Sequence, residues 1–301
     1  MFLGIDLGGT KIEAAVLNKQ GQMLFRERLS TPQGNYEATL DAISVLVTWV
    51  ESQFGQFERL GIGTPGAISV KTGRMKNCNS TCLNDQPLIQ DLTQRLKKTI
   101  LLANDADCFA LSEATDGAAR AQENVFGVIL GTGVGGGLVI NGKLIQGANR
   151  IAGEWGHNRM PDDLVQGFRP RQCYCGRKNC VETFLSGPGF SLTHAEIHGL
   201  SGIKPDPKLI TSQAEDGERR AMQTIQLYSR QLAGSLANVI NILDPNVIVL
   251  GGGMSNVDLV YTHIQRFLPE RVFSDQVATR VVAPEFGDSS GVRGAAWLAR
   301  G

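Results

Sequence analysis

Two acidic residues stand where apolar, strand-like runs end, a position from which a carboxylate can act on a phosphoryl group. Asp6 precedes the Gly8-Gly9 turn, whose backbone N–H groups can cradle phosphate oxygens while the carboxylate holds Mg²⁺ through water. Asp105 follows the run 99–103. An aspartate at such an edge can orient a substrate hydroxyl and accept its proton during in-line attack on a γ-phosphate. These positions indicate phosphoryl-transfer chemistry.

Simpler interpretations exist for both acids. The glycine turn could be a tight hairpin with surface charges, and an acid after a strand could cap the helix predicted over 106–119. Because Asp105 and Asp107 are both present, we assign Asp105 to chemistry and Asp107 to the helix terminus.

The strand-turn-strand pattern of the N-terminus returns later in the chain. Residues 4–18 share five identities with residues 127–141. The second copy keeps Gly4 and Gly8, as Gly127 and Gly131, but has Ile129 where Asp6 stands. Since an apolar residue is sufficient for strand packing, the acid of the first copy is interpreted as functional, and an internal duplication with two similar domains facing a cleft is expected.

The second copy contains Gly131, Thr132 and Gly133 within a G-x-G-x-x-G pattern at 131–136. A dinucleotide site needs a helix directly after these glycines, whereas 137–142 has a strand pattern. The segment is therefore predicted to be a second phosphate-binding hairpin.

The Cys-rich segment has the spacing of a metal site. Cys173, Cys175 and Cys180 fall within eight residues around Gly176, and His157 lies sixteen positions upstream. Together they supply the Cys3His set of a closed tetrahedral zinc site, whereas a disulfide plus one free thiol is the alternative. We expect zinc.

Two glutamates bracket the predicted zinc ligands. Glu154 lies three residues before His157, and Glu182 lies two residues after Cys180. Paired carboxylates held beside a rigid metal loop suit the recognition of adjacent sugar hydroxyls.

Composition excludes several classes of function. The chain has 301 residues with 29 Lys+Arg and 29 Asp+Glu, a formal net charge of +0. This balance gives no basic surface for nucleic acid or an anionic membrane. No run approaches the roughly 18 apolar residues of a membrane span, and a secretory signal is lacking. We therefore expect a cytoplasmic protein that binds neither nucleic acid nor membrane.

Alternating strand and helix patterns predict an α/β fold. We place a small N-terminal α/β domain at 1–117 and a large C-terminal α/β domain, with the zinc-binding loop, at 118–290. A helix over 291–301 is expected to join the first domain. The main predicted strands are 2–7, 12–17, 60–64 and 247–250.

Taken together, these motifs resemble the ROK family of bacterial sugar kinases, named for repressors, open-reading-frame proteins and kinases. The resemblance covers essentially the whole chain. It implies an actin/hexokinase/Hsp70-like (ribonuclease H-like) fold with duplicated domains and a central cleft. The motifs are DLGGTK at 6–11, GTPG at 63–66, NDAD at 104–107, GTGVGGG at 131–137, GEWGH at 153–157, CYCGRKNCVET at 173–183, DPNVIVLGGG at 244–253 and GDSSGVRGAAWL at 287–298.

The resemblance also implies a role for each group of residues. ATP, with Mg²⁺, would bind between the two domains, Asp105 would be the catalytic base, and a homodimer is expected. The implied sugar contacts are Gly66, Asn79, Asn104, Asp105, Glu154, His157 and Glu182. The implied ATP and phosphate contacts are Asp6, Gly8, Gly9, Thr10, Lys11, Gly131, Thr132, Gly133, Gly251, Gly252 and Gly253. The implied ligands of structural Zn²⁺ are His157, Cys173, Cys175 and Cys180.

Within the family, the segments 76–88 and 173–176 are most similar to bacterial fructokinases that also accept mannose. The expected activity is therefore ATP-dependent phosphorylation of D-fructose, and also of mannose, to the 6-phosphate. An N-acetylglucosamine kinase, which shares nearly every motif, and a glucokinase are the alternatives within the family.

Two non-catalytic functions are alternatives to this one. ROK repressors carry a helix-turn-helix before the shared domain, whereas the first predicted strand here begins at Phe2, so no DNA-reading module is expected. A non-catalytic sugar sensor would have lost the base or a phosphate hairpin, yet Asp105, Asp6 and both glycine turns are present. An enzyme is therefore expected.

Overall fold

The computed structural model describes residues 1–200 and 202–300, and packing divides them into two compact units. Unit 1 contains Met1–Ala121, Gly137–Gly153 and the segment from Glu285 onward, whereas unit 2 contains Gln122–Gly136 and Glu154–Pro284. The domain boundaries given above stay a prediction. The packing units differ from them chiefly in Gly137–Gly153, which groups with the N-terminal part of the chain.

Strands and helices alternate along the chain, as an α/β fold requires. The strands are β1 (Phe2–Leu7), β2 (Lys11–Leu17), β3 (Met23–Ser30), β4 (Arg59–Thr64), β5 (Ala67–Ile68), β6 (Met75–Lys76), β7 (Thr99–Asn104), β8 (Asn124–Leu130), β9 (Val134–Ile140), β10 (Lys143–Leu144), β11 (Val247–Gly251) and β12 (Arg280–Val282). The helices are α1 (Tyr36–Phe54), α2 (Leu88–Leu96), α3 (Asp105–Thr115), α4 (Glu182–Leu185), α5 (Gly187–Ile197), α6 (Pro207–Glu215), α7 (Arg219–Leu243), α8 (Asp258–Phe267) and α9 (Ser290–Leu298).

The first sheet has the strand order β3-β2-β1-β4-β7. β1 and β2 form the predicted antiparallel hairpin, while β1, β4 and β7 are parallel neighbours. The alternating residues Leu3, Ile5 and Leu7 are fully buried, because helices cover a sheet of this kind. The carboxyl ends of the parallel strands carry Asp6, Thr64 and Asn104 to one edge of the sheet.

Helix α9 packs directly on this sheet through glycines. A Cβ added to Gly61 in β4 would lie 1.8 Å from Ala295 O, and one added to Gly4 in β1 would lie 2.2 Å from Ala296 N. In the helix itself, a Cβ on Gly294 would lie 1.7 Å from Cys108 O. Only glycine therefore allows the backbones of α9, the sheet and α3 to approach this closely.

The second sheet repeats the order of the first. Its strands run β10-β9-β8-β11-β12, and β8, β11 and β12 are parallel neighbours. This shared order supports the internal duplication. β9 begins at Val134, directly after the second glycine turn. The prediction that 131–136 is not a dinucleotide fingerprint is therefore confirmed.

Helix α3 ends before the residue predicted for it. α3 stops at Thr115 rather than 119, because Glu113 binds the residues that follow: its carbonyl accepts from Ala119 N–H at 3.0 Å and its Oε2 from Ala118 N–H at 2.9 Å. α7 runs to Leu243 and is capped by Asp244, which has φ +41°.

Across residues 1–200 and 202–300, no helix is both long and apolar enough to cross a membrane.

Candidate active site and metal centre

The segment 6–11, here called the phosphate hairpin, forms the turn between β1 and β2 in unit 1. Gly8 N–H donates to Lys11 O at 2.9 Å and closes the turn, and Thr31 N–H donates to Thr10 O at 3.0 Å. Within the described ranges 1–200 and 202–300, the N–H groups of Gly9 and Thr10 form no hydrogen bond. Both donors can therefore bind an anion.

Asp6 lies at the end of β1 beside Gly63 of β4. Burial, followed by the charges of Asp105 and Glu13, raises the pKa of Asp6 to about 7. A glycine leaves room for this carboxylate, since a Cβ on Gly291 would lie 3.1 Å from Asp6 Oδ2. Asp6 and Asp105 repel each other through their negative charges, and such a region favours the binding of a cation.

Lys11 belongs to an ionic cluster that sequence reasoning missed. Its Nζ lies 3.4 Å from Asp288 Oδ1 and 3.9 Å from Glu13 Oε2. Arg26 and Arg28 pair with both carboxylates, and the Glu13 side chain is only 1% exposed. The cations of β2 and β3 thus compensate a buried charge. Asp288 lies 277 positions from Lys11 in sequence, so no local pattern links them.

Asn104 and Asp105 occupy the junction of β7 and α3. Asn104 caps the helix through Oδ1, which accepts from Ala106 N–H at 2.9 Å. Asn104 is therefore the N-cap residue, and Asp107 lies in the first turn of the helix, at the terminus predicted for it. Asp105 Oδ1 also accepts from Ala106 N–H, at 2.8 Å. The Asp105 side chain is open to water, yet protein surrounds it closely enough that burial raises its pKa, against the lowering effect of the Ala106 N–H.

Residues 76–88, here called the 76–88 loop, connect the end of β6 with the start of α2 in unit 1. Gly66 has φ +84°, and a Cβ there would lie 2.4 Å from Lys76 O. Asn84 holds both polar backbone groups of Cys78: its Oδ1 accepts from Cys78 N–H at 2.9 Å and its Nδ2 donates to Cys78 O at 3.1 Å. Asn79 is exposed on the turn that this clamp closes. The sequence carried no signal for the role of Asn84.

The structure brings together the four predicted metal ligands. The ligand atoms of His157, Cys173, Cys175 and Cys180 lie within 4.8 Å of one another. Cys173 Sγ is 3.6 Å from His157 Nδ1, and Cys175 Sγ is 3.6 Å from Cys180 Sγ. A tetrahedral zinc ion places two sulfurs about 3.8 Å apart, and sulfur and nitrogen about 3.5 Å apart. The donor set therefore fits zinc, and all of these cysteines are free of disulfides.

A tight turn and a buried arginine shape the segment 171–183, here called the metal-ligand loop. Cys173 N–H donates to Arg177 O at 2.8 Å across a turn in which Gly176 has φ +86°. Arg171 is buried, and its Nη1 donates to Thr183 O at 2.8 Å. This arginine, which sequence reasoning missed, anchors both ends of the loop.

Glu182 connects the metal-ligand loop with the second glycine turn inside unit 2. Its Oε2 accepts from Val134 N–H at 3.0 Å, and a Cβ on Gly133 would lie 2.7 Å from the same oxygen. Gly187 N–H donates to Gly131 O at 2.8 Å. The turn that was predicted to bind phosphate is thus held by the same segment that carries the metal ligands.

His157 has a second neighbour besides the thiolates. Its Nε2 lies 2.9 Å from the Tyr174 hydroxyl, and burial, followed by the charge of Glu182, raises the pKa of Tyr174 to about 12. Glu154 directly precedes the 3₁₀ turn of His157, which Trp155 anchors by donating from Nε1 to a backbone carbonyl at 2.9 Å. Tyr174 was not among the predicted site residues.

The third glycine-rich segment, 251–253, lies at the end of β11. Gly252 has φ +81°, and a Cβ there would lie 2.5 Å from Leu130 O, so glycine is required at this position. Gly253 begins a 3₁₀ turn, and a Cβ on it would meet nothing within 4 Å. The backbone after Gly251 is therefore accessible to a ligand.

The predicted site residues fall into two groups, one in each unit. Unit 1 contains Asp6, Gly8, Gly9, Thr10, Lys11, Gly66, Asn79, Asn104 and Asp105. Unit 2 contains Gly131, Thr132, Gly133, Glu154, His157, Cys173, Cys175, Cys180, Glu182, Gly251, Gly252 and Gly253.

The chain is similar over its full length to a protein named as a sugar kinase. It is 39% identical over 302 residues to an N-acetyl-D-glucosamine kinase of Vibrio cholerae serotype O1, an alignment that covers 99% of each chain.

Solved structures with the same fold include two named kinases. A ROK family glucokinase from Streptomyces griseus, in complex with glucose and AMPPNP, is 28% identical with a TM-score of 0.79 and 99% of each chain covered. A ROK hexokinase from Thermus thermophilus is 26% identical with a TM-score of 0.85, and 99% of this chain and 97% of that one are covered. These similarities confirm the predicted hexokinase-like fold class.

The comparison with the Vibrio cholerae protein corrects the substrate predicted from sequence. The prediction of fructose, with mannose, is wrong, because the full-length relative is an N-acetyl-D-glucosamine kinase. It rested on the short segments 76–88 and 173–176. Within them, Asn84 holds Cys78 in place, and Cys173 and Cys175 belong to the candidate metal cluster, so likeness there reports loop structure rather than the identity of a sugar.

The family itself follows from the whole chain rather than from single motifs. The model of the ROK family matches residues 2–301, and the chain belongs to the ROK family.

Proposed function

We propose that this protein is a kinase that transfers the γ-phosphoryl group of ATP to N-acetyl-D-glucosamine. The observation that carries the proposal is the 39% identity, over 99% of both chains, to the N-acetyl-D-glucosamine kinase of Vibrio cholerae. The carboxylates Asp6 and Asp105, placed at one edge of the first sheet, supply the chemistry that such a transfer needs.

Asp105 is the proposed base. Its carboxylate takes the proton of the primary hydroxyl of the sugar, whose oxygen attacks the γ-phosphorus while the bond to the β–γ bridging oxygen breaks. The proton ends on Asp105 and the bond electrons leave with ADP. The raised pKa of Asp105 supports this role, since a base that must later release its proton works best when its pKa is nearer to neutral pH.

The phosphate hairpin is the proposed site for the transferred phosphoryl group. The N–H groups of Gly9 and Thr10 offer donors, Lys11 offers a positive charge, and Asp6 faces the place that favours a cation. Mg²⁺, when bound, neutralises phosphate charge. In unit 2, the proposed nucleotide contacts are Gly131, Thr132, Gly133, Gly251, Gly252 and Gly253.

The proposed sugar contacts are those that the family resemblance implies. Asn104 donates a hydrogen bond to the carbonyl oxygen of Gly66 at 3.2 Å, so a ligand that moves one of these residues also affects the position of the other. The full proposed set is Gly66, Asn79, Asn104, Asp105, Glu154, His157 and Glu182.

Zinc is proposed as a structural component. His157, Cys173, Cys175 and Cys180 would fill all four tetrahedral positions, which leaves no open position for catalysis. The bound ion would fix the loop that holds Glu182 against Val134. Its contribution is thus to the shape of the site.

Incubation with ATP, Mg²⁺ and N-acetyl-D-glucosamine tests the proposal. A product heavier than the sugar by one phosphoryl group, formed together with an equal amount of ADP, is expected in mass spectrometry. Asp105→Asn is the matched control and should form little product. Hydrolysis of ATP without any phosphorylated sugar would reject the proposed acceptor. Light scattering tests the homodimer, and fractionation of cells tests the cytoplasmic location, both of which stay predictions.

A further inference from the structure

Ser80 of the 76–88 loop has a hydroxyl that forms no hydrogen bond within this loop. It is the N-cap residue of a 3₁₀ turn over Thr81–Leu83, and its carbonyl accepts from Leu83 N–H at 3.0 Å. A serine at an N-cap ordinarily accepts a backbone N–H with its side chain. Ser80 makes no such cap bond, and within residues 1–200 and 202–300 its Oγ has no hydrogen-bond partner.

The hydroxyl lies against the phosphate hairpin instead. A Cβ built on Gly9 would lie 3.2 Å from Ser80 Oγ, so this oxygen stands directly beside the Gly9 backbone. The Gly9 N–H is one of the two hairpin donors that form no hydrogen bond within the described ranges. In unit 1, an unused O–H therefore lies beside the backbone of a residue whose N–H is also unused.

The position of Ser80 is fixed by contacts on both sides of it. Asn84 clamps Cys78 through two hydrogen bonds of 2.9 and 3.1 Å, which closes the turn from 78 to 84 around Ser80. The backbone of Cys78 in turn packs on Gly66, since a Cβ there would lie 2.9 Å from Cys78 N. A hydroxyl held in this way loses little freedom when it binds a ligand.

We propose that Ser80 is a further catalytic residue, whose O–H donates a hydrogen bond to a non-bridging oxygen of the phosphoryl group at the phosphate hairpin. This rests on the proposed function. The proton stays on Ser80 and no covalent bond forms. The hydrogen bond strengthens as charge spreads over the phosphoryl oxygens in the transition state, so it acts on kcat rather than on sugar binding.

Ser80→Ala tests this role, with Thr81→Ala as the matched control. Thr81 carries the next hydroxyl of the same turn and is exposed. We expect Ser80→Ala to lower kcat about tenfold, the usual effect of one hydrogen bond to a charged group. KM for the sugar and the melting temperature should stay as in the unchanged protein, because Ser80 Oγ bonds nothing in the described structure. Thr81→Ala should leave kcat unchanged. A kcat of Ser80→Ala within twofold of the unchanged protein, or an effect confined to KM for the sugar, overturns the proposal.

A sugar-free assay separates this inference from the proposed function. Slow hydrolysis of ATP by water needs the phosphate hairpin but no sugar. If the protein fails to phosphorylate N-acetyl-D-glucosamine, the proposed acceptor is rejected, yet Ser80→Ala should still slow this hydrolysis several-fold relative to Thr81→Ala. Equal hydrolysis rates in the two variants would overturn the role of Ser80 alone.

Discussion

Asn104 joins the candidate base to the turn after β4 by donating from Nδ2 to the carbonyl oxygen of Gly66 at 3.2 Å. The other atom of the same amide, Oδ1, caps α3 at Ala106. One side chain therefore sets both the start of the helix that carries Asp105 and the position of Gly66.

The two functions of this amide can be separated by substitution. Asn104→Asp keeps the acceptor for Ala106 but places a carboxylate oxygen against Gly66 O, so we expect a KM for the sugar at least about fivefold higher, equal to about 1 kcal/mol. Asn104→Ala also loses the cap and should be less stable by about 1 kcal/mol in urea unfolding. An unchanged KM in Asn104→Asp would show that Gly66 is not positioned by this bond.

Asp105→Asn should keep the fold and lower kcat by at least about 10²-fold, the usual range for a positioned proton acceptor. Burial raises the pKa of Asp105, so its ionised form is lost at a higher pH than for an ordinary aspartate. The acid limb of kcat against pH should therefore lie above the ordinary value of 3.8. Steady-state kinetics between pH 4 and 9 measure both effects, and a variant with near-normal kcat would remove Asp105 from the mechanism.

Asp6 should make the ligand-free protein less stable as pH rises. Its pKa is raised from 3.8 to about 7, so the folded state favours the protonated form. The stabilisation is complete below pH 3.8 and is lost as pH rises through about 7. Asp6→Asn should then be more stable than the unchanged protein at pH 8, by at least about 1 kcal/mol, and nearly equal to it at pH 4.

Asp288→Asn is the control, because the opposite change of stability with pH is expected for Asp288. The hydrogen bond from Arg28 lowers the pKa of Asp288, so its carboxylate stabilises the fold at neutral pH and this contribution fades in acid. Urea unfolding without added Mg²⁺ compares the variants at both pH values. Destabilisation of Asp6→Asn at pH 8 would contradict the account of Asp6.

Protein purified without chelators should contain one zinc ion per chain by elemental analysis. Cys175→Ser should lower the melting temperature and weaken sugar binding, because loss of a ligand loosens the loop that holds Glu182. Cys175 is exposed, so without a metal its substitution should be harmless. Cys82→Ser, outside the metal set, is the control. Absence of zinc, or equal melting temperatures of the two variants, would argue against the metal site.

Features encoded by neighbouring residues could be predicted from the sequence. The β1–β2 hairpin follows from apolar alternation around Gly8-Gly9, and the repeat at 127–141 predicts a second sheet of the same order. The spacing and the residue types of His157 and the three cysteines predicted a metal-ligand set, and the structure brings the four ligand atoms together.

Features that depend on distant contacts could not be predicted in this way. Glu13 and Asp288 meet Arg28 only in the folded chain, and the clamp of Asn84 on Cys78 depends on the path of a loop. The sugar was missed because the prediction rested on the short segments 76–88 and 173–176, whose residues Asn84 and Cys78 form a clamp within a loop.

The most direct measurement is kcat/KM for ADP release with N-acetyl-D-glucosamine, fructose, mannose and glucose at equal ATP and Mg²⁺. The account predicts the highest value for N-acetyl-D-glucosamine, above fructose by more than about tenfold, or roughly 1.4 kcal/mol of transition-state binding. A preference of that size for fructose, mannose or glucose would contradict it.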